Sequence, residues 1–298
     1  MENSVYKLEE FIDKKHIIKD GLFDITAPAD AATGNKILCY AITKEYIDLA
    51  NANPHVSCVI TNAKFADSVQ GKALVVHDEP IILFGQIVNK LIENGVFEPS
   101  MNYGISDSAS IDPTAIVSKK CRIGNNVSIG RHSIVEDYTI IEDDVVIGDN
   151  VVIGCPGFFF RRAKSGELVK FLHAGGVHLH KNVEVMTGSI VQRAQKSRFT
   201  IVGEGTKISV NVNIGHDAVI GKHNQITGNV QIAGNTTMGD ACWIGTSVTI
   251  SDGVKIGNNA EIKIGSVVVK NVKDNEVVSG NFAILHSKNL KNYIKAQR

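Results

Sequence analysis

The sequence has few cysteines, few aromatic residues and no long apolar run. Its 298 residues include five cysteines, one tryptophan and 6% aromatic residues. The cysteines lack C-x-x-C spacing, which excludes a zinc ribbon and a disulfide framework, so we expect them to be small buried residues. No apolar run reaches the roughly 18 residues of a membrane span, and the N-terminus lacks the apolar core of a signal peptide. We therefore expect a soluble, cytoplasmic protein.

An excess of charge of one sign is also missing. The chain carries 31 basic and 31 acidic residues, which gives a formal net charge of zero. Nucleic-acid binding usually requires a basic excess or a basic stripe, so this class of function is excluded. The length accommodates two domains, or one domain with a long solenoid attached.

A period of six residues dominates the chain after residue 104. Every sixth position is aliphatic from Ile105 to Ile153 and, with Met238 as the one exception, again from Val202 to Ile262. Helical faces recur at 3.6 residues and strand faces at 2, so neither element produces this pattern. A fixed period of this kind indicates a repeat architecture.

The period predicts a parallel β-helix in which each hexapeptide makes one short strand and one turn. The aliphatic side chain points inward, and Gly, Asn or Asp takes the corner, where a positive φ costs these residues little. Three hexapeptides close one coil, so residues 18 apart stack at about 4.8 Å. The period itself leaves the handedness open, because general rules for crossover connections favour the right hand.

Residues 1–100 lack the period and are predicted to form a small α/β head domain, followed by a solenoid over 101–280. The elements expected in the head are a helix over 8–15, strands over 55–60 and 73–76, and an amphipathic helix over 80–94 that Gly95 closes.

The period fails over an insertion at 154–176, which contains three consecutive Phe residues. Irregular segments of this length are often functional. Residues 281–298 are predicted to form a basic helix that caps the last coil, with Lys288, Lys291 and Lys295 on one face. A solvated face explains these lysines most simply, and contact with an anionic cosubstrate is the alternative.

The order of these parts resembles the LpxD-like family of hexapeptide-repeat N-acyltransferases. The resemblance is carried by an α/β head, a solenoid interrupted by PGFFF and KFLHAGG, and the later stretch KISVNVNIGHDAVIG. It implies a left-handed β-helix and a homotrimer with active sites in the grooves between subunits. It also implies an acyl thioester donor and a nucleotide-linked amino sugar as acceptor.

The family's general base is the His of an I-[GA]-H motif, which falls on His216. Imidazole titrates near working pH and can take the proton that an amine must lose before it attacks a thioester. The family's oxyanion N–H falls one coil later on Gly234, for which a corner glycine is the alternative. Asp217 follows the base where Asn is usual, as in acetyltransferases of amino-sugar nucleotides. Adjacent strand residues point to opposite faces, so we expect Asp217 to have at most a supporting role.

The family's uracil-binding positions fall on Tyr40, Thr43 and Tyr46 in the head. Stacking of a base on an aromatic ring contributes about 1–3 kcal/mol with any base. Thr43 replaces the family's Asn, which leaves the uracil-specific hydrogen bond open. The alternative places Tyr40 in the core and Tyr46 on a helix without a role in binding.

Other candidate residues follow from the same resemblance. Phe158, Phe159, Phe160 and His173 are expected to line the sugar or acyl site, and Asp217 is a further candidate for substrate binding. Gly234, Gly245 and Lys288 are the candidate contacts for the cosubstrate, either acyl-CoA or acyl-acyl carrier protein, and no tightly bound cofactor is expected.

Two departures from the family distinguish the candidate reactions. A second functional His would fall on Gly253, and an Asp-Asn pair before the base is replaced by Ser209 and Val210. We also expect the tail to be too short for the paired helices with which the family docks an acyl carrier protein. We therefore predict transfer of acetyl or a short hydroxyacyl group to a UDP- or dTDP-linked amino sugar for surface polysaccharide synthesis. The alternative is UDP-3-O-acylglucosamine N-acyltransferase of lipid A synthesis.

A metal lyase of the γ-carbonic anhydrase type is a remote alternative. His173, His178 and His180 suggest it, but the third ligand would fall on Asp137. No metal site is therefore predicted. A non-catalytic scaffold is the other alternative, but it would not need the head, the insertion and His216 together.

Overall fold

The computed structural model describes residues 5–32, 36–99, 101–195, 198–280, 283, 285–288 and 294–295. Contacts divide the chain into two units. The first comprises residues 1–96 and 158–172, and the second comprises 97–157 and 173–298.

A five-stranded sheet forms the centre of the first unit. In order across the sheet its strands are Ile17–Lys19, Ala73–Val76, Val56–Thr61, Ile37–Tyr40 and Ile25–Thr26. The first pair is antiparallel and the other pairs are parallel. The helices α1 (Lys44–Ala52) and α2 (Pro80–Glu93) and the antiparallel pair Tyr6–Lys7 with Leu22–Phe23 complete the main elements of its head part.

The two strands and the second helix predicted for the head are confirmed. Helix α2 begins with Pro80 at its first turn and is followed by Gly95, whose φ is +75°. The predicted helix over 8–15 is wrong, because two short 3-10 turns, Leu8–Glu10 and Lys14–His16, occupy this stretch. The side chain of Asp13 accepts a hydrogen bond from Lys15 N at 3.1 Å and so begins a new turn.

Residues 158–172, which are part of the insertion, belong to the first unit. From the sequence we had predicted that the whole insertion belongs to the solenoid. They form an antiparallel hairpin of Phe160–Arg162 and Leu168–Lys170. Asn89 of helix α2 donates to Lys170 O at 2.7 Å and accepts from Leu172 N at 2.9 Å. The Phe171 ring occupies the space beside Gly85, where an added Cβ would lie 2.2 Å from Phe171 Cζ.

The second unit is a left-handed parallel β-helix, as predicted. Its described residues form three parallel sheets that run along the coils. One sheet contains Ile116–Val117, Ile134–Val135, Val152–Cys155, Ile190–Gln192, Asn213–Ile214, Gln231–Ile232, Thr249–Ile250 and Val267–Val268. Another contains Gly104–Ile105, Arg122–Ile123, Thr139–Ile141, Gly176–Leu179, Phe199–Val202, Val219–Ile220, Thr237–Met238 and Lys255–Ile256. The last contains Ser110–Ile111, Ser128–Ile129, Val146–Ile147, Glu184–Val185, Lys207–Ile208, Gln225–Ile226, Trp243–Ile244, Glu261–Ile262 and Val277–Val278.

Aliphatic residues 18 apart stack in register and form the solenoid core. Ile214 pairs with Ile232, which pairs with Ile250, and all three are at most 1% exposed. The inward direction of the aliphatic residue in each hexapeptide is therefore confirmed. Because each coil buries its aliphatic residues only against neighbouring coils, the core is continuous along the solenoid.

The glycine that follows many of these aliphatic residues has a different role from the predicted one. The positive φ angles lie three residues after the aliphatic position, as at Asn211 (+55°) and Asp217 (+57°). Gly221 instead permits close stacking, because a Cβ there would lie 2.5 Å from Gly239 O of the next coil. The sequence pattern was recognised correctly, but spacing between coils explains this glycine better than turn conformation does.

The predicted C-terminal helix over 281–298 falls largely outside the described residues. Residues 286–288 and 294–295 are helical, and Lys288 is exposed. Lys291 lies outside the described part. Among the helices that the structure describes, none has the length and apolar character needed to cross a membrane.

The cysteines behave as expected for small buried residues. All five are free, and four of them are buried, whereas Cys155 is partly exposed. Burial raises the pKa of the Cys39 thiol to about 12, so this side chain is protonated near neutral pH.

Candidate active site

His216 lies just beyond the strand Asn213–Ile214, where the chain turns toward the next sheet. Its backbone is fixed from both neighbouring coils. His216 N donates to Gln192 Oε1 at 3.2 Å, and His216 O accepts from Asn235 N at 2.8 Å. The side chain is 14% exposed, so the imidazole is largely shielded from water.

Asp217 holds one side of this imidazole. Its Oδ2 lies 3.0 Å from His216 Nδ1, and its two carboxylate oxygens accept from Gln195 N at 3.3 and 3.1 Å. Asp217 N donates to Thr200 Oγ1 at 2.9 Å. An ionised carboxylate only accepts hydrogen bonds, so beside an ionised Asp217 a neutral imidazole would carry its proton on Nδ1 and its lone pair on Nε2.

This contact corrects the expectation that Asp217 points away from His216. The expectation assumed an extended strand at both residues, but the strand ends at Ile214. Asp217 has a φ of +57°, a left-handed conformation that Asp adopts more readily than most residues. That conformation turns its carboxylate back toward the preceding side chain.

His173 and Gly157 complete one side of the site. The rings of His173 and His216 meet edge to face, with centroids 5.1 Å apart. His173 is 7% exposed. A Cβ added to Gly157 would lie 2.8 Å from His216 Cδ2, 3.0 Å from His173 Nε2 and 3.1 Å from Gln192 Oε1. The backbone at Gly157 therefore closes directly over these three side chains.

Gly234 lies against the other side of the imidazole. A Cβ there would approach His216 Cε1 and Nε2 to 2.7 Å. No positive φ occurs at Gly234, so the alternative of a corner glycine is wrong. Because Gly234 has no side chain, the imidazole of His216 fits beside it, with Nε2 next to the backbone of Gly234.

The backbone amide of Gly234 differs from those of two residues at the same position in other hexapeptides. Lys222 N donates to Asp240 Oδ1 at 2.7 Å, and Asp240 N donates to Asn258 Oδ1 at 2.9 Å. Within the described part of the chain, Gly234 N has no such acceptor. Among the described residues, the amides of Val210 and Gly228, at the same position of other hexapeptides, also have none, so Gly234 is distinguished by its place beside the imidazole, and its oxyanion role stays a prediction.

Part of the chain is similar in sequence to known acyltransferases. No protein-family model matches the chain. UDP-3-O-acylglucosamine N-acyltransferase of Methylobacterium sp. (strain 4-46) is 36% identical over 119 residues, which are 40% of this chain and 33% of that protein. The protein of the same name from Helicobacter hepaticus is 30% identical over 145 residues, or 49% of this chain and 44% of that protein. The resemblance to the LpxD-like hexapeptide-repeat family is confirmed.

The chain spans a third to less than half of the length of these curated relatives. A solved structure of UDP-N-acetylglucosamine acyltransferase from Campylobacter jejuni shares 22% identity with it. That match has a TM-score of 0.49 and covers 64% of this chain and 77% of the other.

The three residues that the resemblance predicts to bind uracil, Tyr40, Thr43 and Tyr46, all belong to the first unit. Tyr40 is 38% exposed and meets the Phe84 ring at 5.1 Å, and Tyr46 on helix α1 is 47% exposed. The hydroxyl of Thr43 accepts from Tyr46 N at 3.4 Å and caps helix α1. Thr43 therefore has a structural role, while both tyrosine rings remain accessible for the predicted stacking.

The Phe residues of the LpxD-like insertion also belong to the first unit. Phe158 is 83% exposed and lies 5.0 Å from the Phe160 ring, whereas Phe159 packs against Phe171 at 4.8 Å. Contact of these phenylalanines with the sugar or acyl group stays a prediction. The structure thus groups His173, His216, Asp217 and Gly234 in one unit and the tyrosines and phenylalanines in the other.

Gly245 and Lys288 are the remaining residues predicted to contact the cosubstrate, and the fold explains the presence of one of them. A Cβ at Gly245 would lie 2.6 Å from Ile264 N, so stacking of the coils accounts for this glycine. Lys288 is exposed on a helical segment. Contact of either residue with the acyl carrier stays a prediction.

One cluster was missed because its members are distant in sequence. Glu142 lies beside His178 and His180 in the second unit, and Asp137 does not join them. The strand register across the insertion is the signal that could have revealed this cluster. Ile140 pairs with His178, which brings Glu142 close to both histidines. Burial chiefly lowers the pKa of His178. Burial raises the pKa of Glu142, but the bond from His178 and the charges of both histidines outweigh it, so that pKa is below its usual value.

Proposed function

We propose that the protein is an acyltransferase that moves an acyl group from a thioester to the amine of a nucleotide-linked amino sugar. The observation that supports it most directly is the imidazole of His216, fixed by Asp217 through Nδ1 and lying with Nε2 beside Gly234. A base with a defined tautomer next to a free backbone N–H suits acyl transfer.

The reaction follows from these positions. Nε2 of His216 accepts a proton from the sugar amine as the nitrogen attacks the thioester carbonyl. The N–H of Gly234 donates to the oxyanion, a contribution of about 2.7–4 kcal/mol where such donors have been removed. Asp217 stabilises the imidazolium, which returns its proton to the departing thiolate. The products are an amide and a free thiol.

The comparisons favour a UDP-linked acceptor of the lipid A type over the short-acyl reaction predicted from the sequence. Both relatives described above carry the name UDP-3-O-acylglucosamine N-acyltransferase. We therefore place that reaction first, with acyl carrier protein as donor carrier and the cytoplasm as location. No tightly bound cofactor takes part in this chemistry.

Transfer of acetyl or a short hydroxyacyl group from acyl-CoA remains the second candidate. It is favoured by Gly253, which stands where the family has its second His. Gly253 has a φ of +69° and no atom within 4 Å of an added Cβ, so it forms an open corner. Surface polysaccharide synthesis would use such a product.

A thiol-release assay tests the proposal and separates the two candidates. The donors are acetyl-CoA, 3-hydroxybutyryl-CoA and a long-chain acyl carrier protein, each offered with UDP-3-O-acylglucosamine and with UDP- and dTDP-amino sugars. We expect release with the long-chain carrier and UDP-3-O-acylglucosamine. Each buried CH₂ adds about 0.8 kcal/mol of binding, so such a site would discriminate strongly against acetyl. Release only from acyl-CoA would support the second candidate, and no release with any pair would refute acyl transfer.

We also propose a homotrimer, because solenoids of this family bind substrate in the grooves between subunits. The parallel sheets of the coils give each protomer surfaces that can pack against a copy. Sedimentation equilibrium is expected to give a mass near three chains. An active monomer at assay concentration would contradict the shared site.

A further inference from the structure

Two histidines and a glutamate converge on the outside of the second unit. His178 lies in the strand Gly176–Leu179, and His180 is the first residue after that strand. Their rings stack with centroids 4.0 Å apart and an interplanar angle of 28°. Glu142 comes directly after the neighbouring strand Thr139–Ile141, whose Ile140 pairs with His178.

The donor atoms are close enough to share one ion. Glu142 Oε1 lies 2.8 Å from His178 Nε2 and 3.2 Å from His180 Nδ1. One ligand atom from each residue fits within a mutual distance of 4.8 Å. In a tetrahedral zinc site with bonds of about 2.0–2.1 Å, ligand atoms lie about 3.3 Å apart. The two distances from Glu142 Oε1, 2.8 and 3.2 Å, are close to this spacing.

The carboxylate is already oriented for this task. Lys181 N donates to Glu142 Oε2 at 3.1 Å, which leaves Oε1 facing both imidazoles. The Lys181 ammonium is 3.6 Å from the carboxylate of Asp143, so its positive charge is matched. Hydrogen bonds that fix the second atom of a ligand in this way are typical of metal sites.

We propose that Glu142, His178 and His180 bind a divalent transition-metal ion such as Zn²⁺. Two imidazoles and one carboxylate are a known zinc donor set, and three protein ligands leave one position for water or another group. The same donors suit Fe²⁺, so the metal must be determined by experiment. The site is separate from the proposed acyl transfer.

The position of the site suggests what the ion does. Strands Thr139–Ile141 and Gly176–Leu179 pair directly, although the insertion separates them in sequence. An ion held by Glu142 from one coil and by both histidines from the next would link the coils across this interruption. A link of this kind stabilises the folded state most when it closes a long loop, because it then removes the most entropy from the unfolded chain.

Competition with a chromophoric zinc chelator tests the site on the full chain without an affinity tag. Substitution of a residue that only orients a metal ligand typically costs about 10–100-fold in affinity, so loss of a ligand is expected to cost at least about tenfold. We expect one zinc ion per chain in the wild type and this weakening in both Glu142→Gln and His180→Gln. The control His286→Gln removes an exposed histidine and should bind as the wild type does.

Cobalt provides a second readout that does not depend on activity. Co²⁺ bound by the wild type should give the intense visible bands of a tetrahedral site, and Glu142→Gln should lose them. Thermal unfolding without metal checks that each variant folds, and either variant alone suffices if the other does not. Equal zinc affinity in the wild type and the variants would assign the ion to other histidines and overturn the proposal. If the wild type binds Fe²⁺ more tightly than Zn²⁺, and both variants lose affinity for Fe²⁺ to the same extent, the site is supported and its metal is iron.

Discussion

Replacing His216 by alanine is expected to lower the turnover number by about 10²- to 10⁴-fold, the usual contribution of a general base. The imidazole is the group whose Nδ1 Asp217 holds at 3.0 Å and whose ring lies against Gly234. Because the base acts on the amine in the transition state, KM for the sugar nucleotide should change little. Initial rates with saturating donor, measured over a range of acceptor concentrations, give both constants.

His223→Ala is the matched control for this variant. His223 is an exposed corner residue with a φ of +54°, and alanine is tolerated at such a corner, because Ala241 has a φ of +55°. The control should therefore keep the wild-type rate. If His216→Ala retains full activity with a donor and acceptor that the wild type uses, His216 is not the base.

The repeat was predictable because its physics is local and periodic. An inward aliphatic residue at every sixth position specifies the stacked core, and Ile214, Ile232 and Ile250 lie where the pattern places them. The role of the following glycine was not predictable in this way. A Cβ at Gly221 collides with Gly239 O, and this collision depends on the distance between coils, which a single hexapeptide does not encode.

The candidate site was only partly predictable for a related reason. The motif identified His216, but the contact of Asp217 with it depends on where the strand ends and on a left-handed φ. The position of Glu142 beside His178 required the register across the insertion. Thr43 stands at a position where the family has Asn, and its hydroxyl caps helix α1. Sequence spacing therefore identified the residues better than it identified their partners.

Gly234→Ala is expected to reduce the turnover number by about 10²-fold, the cost typical of a misplacement of about 1 Å in a catalytic group. The new Cβ would lie 2.7 Å from both Cε1 and Nε2 of His216, so the largely buried ring must move. The backbone amide of residue 234 is retained, and no positive φ opposes alanine there. The loss should thus appear in the rate, with only a small change in thermal stability.

The solenoid offers a matched control in Gly228→Ala. An added Cβ at Gly228 would meet its nearest neighbour, Val210 Cγ2, at 3.4 Å, which is an ordinary contact, and φ is again unexceptional. This variant should keep the wild-type rate. If Gly234→Ala is as active as Gly228→Ala, the close approach at Gly234 has no functional importance.

The double variant His216→Ala with Gly234→Ala shows whether the two residues act through each other. Residues in contact deviate from additivity, and here the group that the new Cβ displaces is already absent. The double variant should therefore be about as active as His216→Ala alone. A further loss of about 10²-fold in the turnover number would mean that alanine at 234 acts on something other than the imidazole. The displaced group would then be the backbone N–H that we assign to the oxyanion.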